Sequence, residues 1–211
     1  MDYLKQKHNS ILVFDPTYPK IDEIIFKDCE WKDFYGDAEE AILRNAPKPR
    51  GKGVYLMAKV DSNHVGDKEN RRSRTGYLIF CDMSLVDYLS KKQSKIETAV
   101  FGAEFVVLNH VMEALRVICY KLRIMGVPLS GFSYVYGDNM SVIHDTQRPE
   151  STILRKSKYI FYRAVRENVA IGETNTAHIS THDNGSDLLT KVLYGAKRKK
   201  FVGEILYDIY G

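Results

Sequence analysis

Four acidic residues stand where acids are chemically awkward. Glu104 lies in AVFGAEFVVLNHVMEALRVICYKL, a stretch of helical character. Its neighbours at helical spacing are Phe101, Val107, Leu108, Val111, Leu115 and Ile118, all apolar. A carboxylate on a core-facing stripe needs a basic partner, a raised pKa or a bound cation. The plainer alternative is a glutamate at the stripe's edge that reaches water or a lysine. Asp61 ends the apolar run GVYLMAKV, where aspartate commonly opens a turn. Asp138 ends FSYVYG and precedes NMSVIH, a usual place for a helix N-cap. Asp187 follows Ser186 at the start of SDLLTKVL, where an acid complements the helix dipole. Singly, each has an ordinary structural job. Together they are two strand-end acids, one acid on a buried stripe and one at a helix start. Groups at the ends of neighbouring strands of an α/β sheet converge on one edge. Clustered carboxylates repel one another unless a cation joins them, and hard oxygen ligands select Mg²⁺ or Mn²⁺. Two such ions can clamp the attacking water and the leaving oxygen of a phosphodiester.

The elements that must position these acids follow from periodicity and breakers. GVYLMAKVD, TGYLIFCD and SLVDYLSKK read as three strands close in sequence, hence an antiparallel meander. A long helix is expected from Thr98 to Met125, closed by Gly126 and Pro128. SGFSYVYGD is a fourth strand, NMSVIHDTQ a short helix, and SKYIFYRAVRENVAIG an amphipathic helix ending at Gly172. TNTAHIST is a fifth strand and SDLLTKVLYG a final helix. The order βββαβαβα implies a mixed five-stranded sheet with helices packed on it. Residues 1–52 read as an extension, with the Pro-rich breakers DPTYPKID and NAPKPRGKG around one short helix in WKDFYGDAEEAIL. Residues 53–195 form the domain proper, and 196–211 a basic tail with room for one more helix.

Bulk properties narrow the function classes. The chain has 211 residues, 44% hydrophobic and 27% charged, which suits one globular domain with an extension. Three cysteines without CxxC spacing indicate a reduced, intracellular protein. The start MDYLKQKHNS has no secretory apolar run, and no stretch would cross a bilayer. No Walker A, GxSxG or GxGxxG occurs. Net charge is only +4, but basic residues gather locally. The clusters are Lys68, Arg71, Arg72 and Arg74; Lys91, Lys92 and Lys95; Arg155, Lys156 and Lys158; and Lys197 to Lys200. Most such runs are solvated surface, yet patches on a near-neutral body also suit a polyanion groove.

The segments VDSNHVGD, RRSRTGYLIF, SKKQS, ETAVFGAEF, YGDNMSVI, RKSKYIFYRAVRENVAIGE, HIS and SDLLTKVL occur in this order. This series resembles the ribonuclease H domain of copia-type LTR retrotransposon polyproteins. The upstream LVFDPTYPKID and NAPKPRGKG resemble the connection that precedes that domain. The resemblance implies a ribonuclease H-like α/β fold, with a five-stranded mixed sheet whose first three strands are antiparallel. It implies that Asp61, Glu104, Asp138 and Asp187 hold two Mg²⁺ ions, replaceable by Mn²⁺, at the scissile phosphate of an RNA/DNA hybrid. It also implies a polymerase domain elsewhere in the parent polyprotein. Where the family has D-A-D-x-A-G-D, this chain has Asp61-Ser62-Asn63-His64-Val65-Gly66-Asp67, so the second acid is an amide.

His182, in the loop ahead of Asp187, matches a mobile histidine that aids product release in many ribonucleases H. An ordinary loop histidine is the simpler reading, and His64 is a weaker candidate. His178 and His182 share helical spacing, but on a strand and loop they make no zinc pair. For hybrid binding the candidates are Arg71, Arg72, Arg74, Lys91, Lys92, Gln93, Asn139 and Ser141, types that contact phosphate and 2′-hydroxyl groups. The rival readings are a catalytically inactive remnant that keeps the fold, and a binding module without chemistry. The acid order Asp, Glu, Asp, Asp argues against an integrase-type nuclease, whose acids run Asp, Asp, Glu.

Overall fold

The computed structural model describes residues 10–27, 29–40, 42, 44–64, 72–94, 100–151 and 159–208. Arg71, Lys68, Lys95 and the basic cluster at 155–158 lie outside them. The strands are β1 (Ser10–Ile11), β2 (Leu56–Asn63), β3 (Arg74–Cys81), β4 (Ser84–Lys92), β5 (Ser133–Gly137), β6 (Thr174–His178) and β7 (Tyr207–Asp208). The helices are α1 (Lys32–Tyr35), α2 (Val100–Ile124), α3 (Met140–Thr146), α4 (Tyr159–Ala170), α5 (Asp187–Thr190) and α6 (Gly195–Gly203), with a 3-10 turn at Glu23–Ile25.

Five strands form one sheet in the order β4-β3-β2-β5-β6. The β2–β3 and β3–β4 pairs are antiparallel, whereas β2–β5 and β5–β6 are parallel. The meander and the mixed sheet expected from the sequence are both present. Alternation along β2 sends Leu56, Ala58 and Val60 to one face and Met57, Lys59 and Asp61 to the other. The first face meets Phe105, Leu108, Val111, Met112 and Leu115 of α2, together with Tyr162 and Val165 of α4. This is the main core.

Part of the opposite face is covered by the segment before residue 52, and α5 covers another part. Phe26 packs edge-on against Tyr134 and Tyr136 of β5, with Ile21, Tyr55, Met57 and Ile179 around them. Trp31 of the same segment joins the main core. Among the described residues the N-terminal segment therefore has no core of its own and completes those of the sheet. Its Ser10–Ile11 pair with Tyr207–Asp208, which ties the two arms of the chain together.

Two elements differ from the sequence expectation. The helix expected over WKDFYGDAEEAIL spans only Lys32–Tyr35, because Gly36 turns the chain at φ 63°. The final helix expected over SDLLTKVLYG is a single turn, Asp187–Thr190. Lys191 takes extended backbone there, with φ −125° and ψ 152°, and its side chain is anchored at the acids described below. The C-terminal helix is present as α6. Among the described residues no helix is long and apolar enough to cross a membrane.

Candidate active site

Asp61 stands on the third-last residue of β2, the central strand, and is buried. Its cross-strand partner on β3 is Gly76. A Cβ at Gly76 would lie 2.5 Å from Thr190 Cγ2 and 3.0 Å from Leu189 Cβ. The missing side chain lets α5 lie directly on the sheet beside Asp61. Thr190 thereby donates its hydroxyl to Asp61 Oδ2. The Asn63 amide, where the resembled family has an acid, donates to the Thr190 carbonyl at 3.1 Å. An ionised carboxylate could not make that bond, so the amide has a structural use here.

Glu104 sits in the first turns of α2 and is only 5% exposed. Gln93 helps to place this part of the helix by donating its amide to Thr75 Oγ1 and to the Ala103 carbonyl, each at 3.1 Å. Asp138 follows β5, which runs parallel to β2, so it reaches the same edge as Asp61. It is partly exposed, and its Oδ2 accepts from Thr181 at 3.0 Å. Ligand oxygens of Asp61, Glu104 and Asp138 lie within 4.8 Å of one another. Burial pushes the Glu104 carboxyl up to about 8, with the Asp61 and Asp138 charges acting in the same direction and Ser62 opposing. Burial likewise raises Asp61, against the pull of Thr190 and Lys191. Asp61 and Glu104 are thus held in a place that resists their charge, with Asp138 beside them.

Asp187 joins this edge differently. It is fully buried, and its carboxylate accepts from Lys191 at Oδ1 (2.6 Å) and from Lys197 at Oδ2 (2.5 Å). The Lys191 ammonium also reaches Asp61 Oδ1 at 3.0 Å. Asn184 secures the loop ahead of Asp187. Its amide donates to the Val60 carbonyl at 2.8 Å, and its oxygen accepts from the Ser186 hydroxyl at 2.5 Å. Lys200 holds the same loop at Asp183 and at the His182 carbonyl. His182 itself is exposed.

The expected nucleic-acid residues divide into two groups. Arg72, Arg74 and Lys91 are exposed, and Lys92 is partly so. Arg74 pairs across the ladders with both Asn63 and Lys92, which puts this basic end of the meander two residues beyond Asp61. Ser141 is exposed on α3, and Asn139 is the N-cap of that helix, accepting from Val142 N. Gln93, expected among the nucleic-acid contacts, lies apart from these exposed residues. It is 6% exposed, and its amide nitrogen donates to Thr75 and Ala103, which ties the start of α2 to the sheet. Sequence reasoning missed Asn184, Thr190, Lys191 and Lys197. The spacing of Lys191, four residues after Asp187, was the available signal.

No protein-family model matches the chain. The retrovirus-related Pol polyprotein from transposon RE1 of Arabidopsis thaliana is 28% identical over 156 residues, 74% of this chain and 11% of that protein. That from transposon TNT 1-94 of Nicotiana tabacum is 27% identical over 161 residues, 76% of this chain and 12% of that protein. The chain spans about a tenth of the length of the curated relatives it matches. The N-terminal RNase H domain of rv2228c from Mycobacterium tuberculosis superposes with a TM-score of 0.51 at 9% identity, over 65% of this chain and 91% of that one. LC11-RNase H1, solved in complex with RNA/DNA hybrid, gives 0.51 at 17% identity, over 64% of this chain and 93% of that one. Both structural likenesses concern the fold. Sequence likeness and architecture agree: this chain is similar in sequence to a stretch of the transposon Pol polyproteins and has a ribonuclease H-like fold.

Proposed function

We propose that this chain hydrolyses the RNA strand of RNA/DNA hybrids during reverse transcription, as the ribonuclease H part of a retrotransposon polyprotein that also carries a polymerase domain. The observation that carries this reading is the meeting of Asp61, Glu104 and Asp138 on the edge of a ribonuclease H fold. Their donors are all carboxylate oxygens, a set that suits Mg²⁺ or Mn²⁺. Burial, with the Asp61 and Asp138 charges beside it, raises the pKa of Glu104, and a bound cation would relieve that cost. These three would hold one ion, and Asp61 with Asp187 a second. Bound there, such ions activate water and stabilise charge on the scissile phosphate.

The chain's own residues do the rest. Thr181 orients Asp138, and Thr190 orients Asp61. Arg72, Arg74, Lys91 and Lys92 supply phosphate contacts along the meander, and Asn139 and Ser141 contact the strand beside Asp138. His182, on its exposed loop, assists product release. The test is cleavage of a labelled hybrid with Mg²⁺ by the wild type, Glu104→Gln and Asp138→Asn. Cleavage is expected from the wild type alone, and equal rates in all three would refute the assignment.

A second reading has its own observation. Both oxygens of Asp187 are taken by lysines, as in a remnant that keeps the fold and binds hybrid without cutting it. Hybrid binding with no cleavage at any Mg²⁺ or Mn²⁺ concentration would favour that reading.

A further inference from the structure

Asp61 belongs to two groupings at once. With Glu104 and Asp138 it forms the trio of carboxylates. With Asp187 it shares one ammonium, Lys191 Nζ, at 3.0 Å from Asp61 Oδ1 and 2.6 Å from Asp187 Oδ1. The second grouping therefore already holds a cation, supplied by the protein.

We propose that Lys191 is a protein-borne occupant of the place between Asp61 and Asp187. Without nucleic acid, the chain then takes up one divalent ion at Asp61, Glu104 and Asp138, and a second only by displacing this ammonium. The inference rests on the metal-binding reading above. An ammonium and a divalent ion satisfy the same carboxylate oxygens and exclude each other. Displacement costs two charge-assisted hydrogen bonds, which sets the second ion apart from the first. Lys191 also has somewhere to go. Its side chain is 34% exposed and leaves from an extended residue at the end of α5. Lys197 remains on the other oxygen of Asp187, so departure of Lys191 does not strand a bare buried carboxylate. The lysine and the single-turn helix then have one purpose, since a continued helix would not present residue 191 in the same way.

The experiment is calorimetric titration of Mn²⁺ into the metal-free full chain, without nucleic acid. The wild type, Lys191→Met, Lys191→Arg and Glu104→Gln are compared. The wild type is expected to take one ion per chain tightly. Lys191→Met should take a second ion at least about tenfold more tightly than the wild type does, because the competing charge-assisted bonds are gone. Lys191→Arg, which keeps the charge, should stay at one. Two ions of like affinity in the wild type would overturn the proposal, and so would the same second-site affinity in the wild type and Lys191→Met. The wild-type stoichiometry needs no variant, so a Lys191→Met protein that fails to fold leaves the test standing. Failure of the underlying reading looks different. In that case the wild type binds no Mn²⁺, or Glu104→Gln binds as the wild type does, and both ideas fall.

Discussion

Replacing Glu104 by Gln should stabilise the metal-free protein, increasingly so as pH rises. The carboxyl has an ordinary pKa of 4.5 in the unfolded chain and about 8 in the fold. Below about pH 4.5 it is protonated in both states and adds nothing to the balance. Between the two values the unfolded chain releases the proton and the folded one keeps it, so stability is lost as pH rises. Above about pH 8 the loss levels off. At about 1.4 kcal/mol per pKa unit the full loss is about 5 kcal/mol, with about 3 kcal/mol of it already present at pH 7 and about 1 kcal/mol at pH 5. Glutamine has no proton to release and escapes this slope. Urea unfolding in chelator, at pH values from about 5 to 9, measures the gap between variant and wild type. Excess Mg²⁺ should reverse the order, because an ion held by the carboxylate stabilises only the wild type. A gap that stays constant across the pH range would refute the claim that this glutamate is held against its charge.

Four further outcomes follow from the packing and charge of the molecule. Gly76→Ala should cost about 2–3 kcal/mol and weaken metal binding, because its methyl meets Thr190 and Leu189. Gly185→Ala, whose Cβ would make ordinary contacts at 3.4–3.5 Å, is the control in the same thermal melts. Asn184→Ala should cost about 1–3 kcal/mol by orphaning the buried Val60 carbonyl, and hydrogen exchange should show earlier opening of the loop ahead of Asp187. Phe26→Ala should lose about 3–5 kcal/mol in urea titration and expose Tyr134 and Tyr136 to a hydrophobic dye. Hybrid affinity should fall steeply with salt, with a shallower slope for an Arg72→Ala, Arg74→Ala double variant measured by fluorescence anisotropy.

The sequence made the sheet legible because its signals are local. The three antiparallel strands are neighbours in the chain, and Gly126 and Pro128 end the long helix where they should. Glu104 was visible because apolar residues surround it at helical spacing. Asp138 could be placed at the right edge because a parallel strand must end beside its neighbour. What was not legible depends on contacts distant in sequence. Nothing local marks Gly76 as the place where α5 lands, 114 residues later. Gln93 looked like a surface contact because it follows two lysines, whereas packing of α2 buries it. The basic tail includes Lys197, which turns inward to the buried Asp187, and Lys200, which pairs with Asp183 at the surface. A run of like charges carries no information about which of its members faces the body of the molecule.

The short ladder between β1 and β7 has a mechanical consequence. Ser10 lies opposite Asp208 and Ile11 opposite Tyr207, so the two arms leave the ladder on the same side. Tension applied at these ends loads its hydrogen bonds one after another, like a zipper, and not all at once. The ladder therefore yields at low force, and the strap bearing Phe26 peels next from the aromatic face of the sheet. Asp61, Glu104 and Asp138 lie on or beside the central strands and on α2, which remain under no load while this happens. A protease or an unfolding motor that works inward from the β1 side would strip the outer wrapping well before it disturbs the acidic edge, whereas one that works inward from the β7 side reaches α6 and its Lys197 contact to Asp187 first.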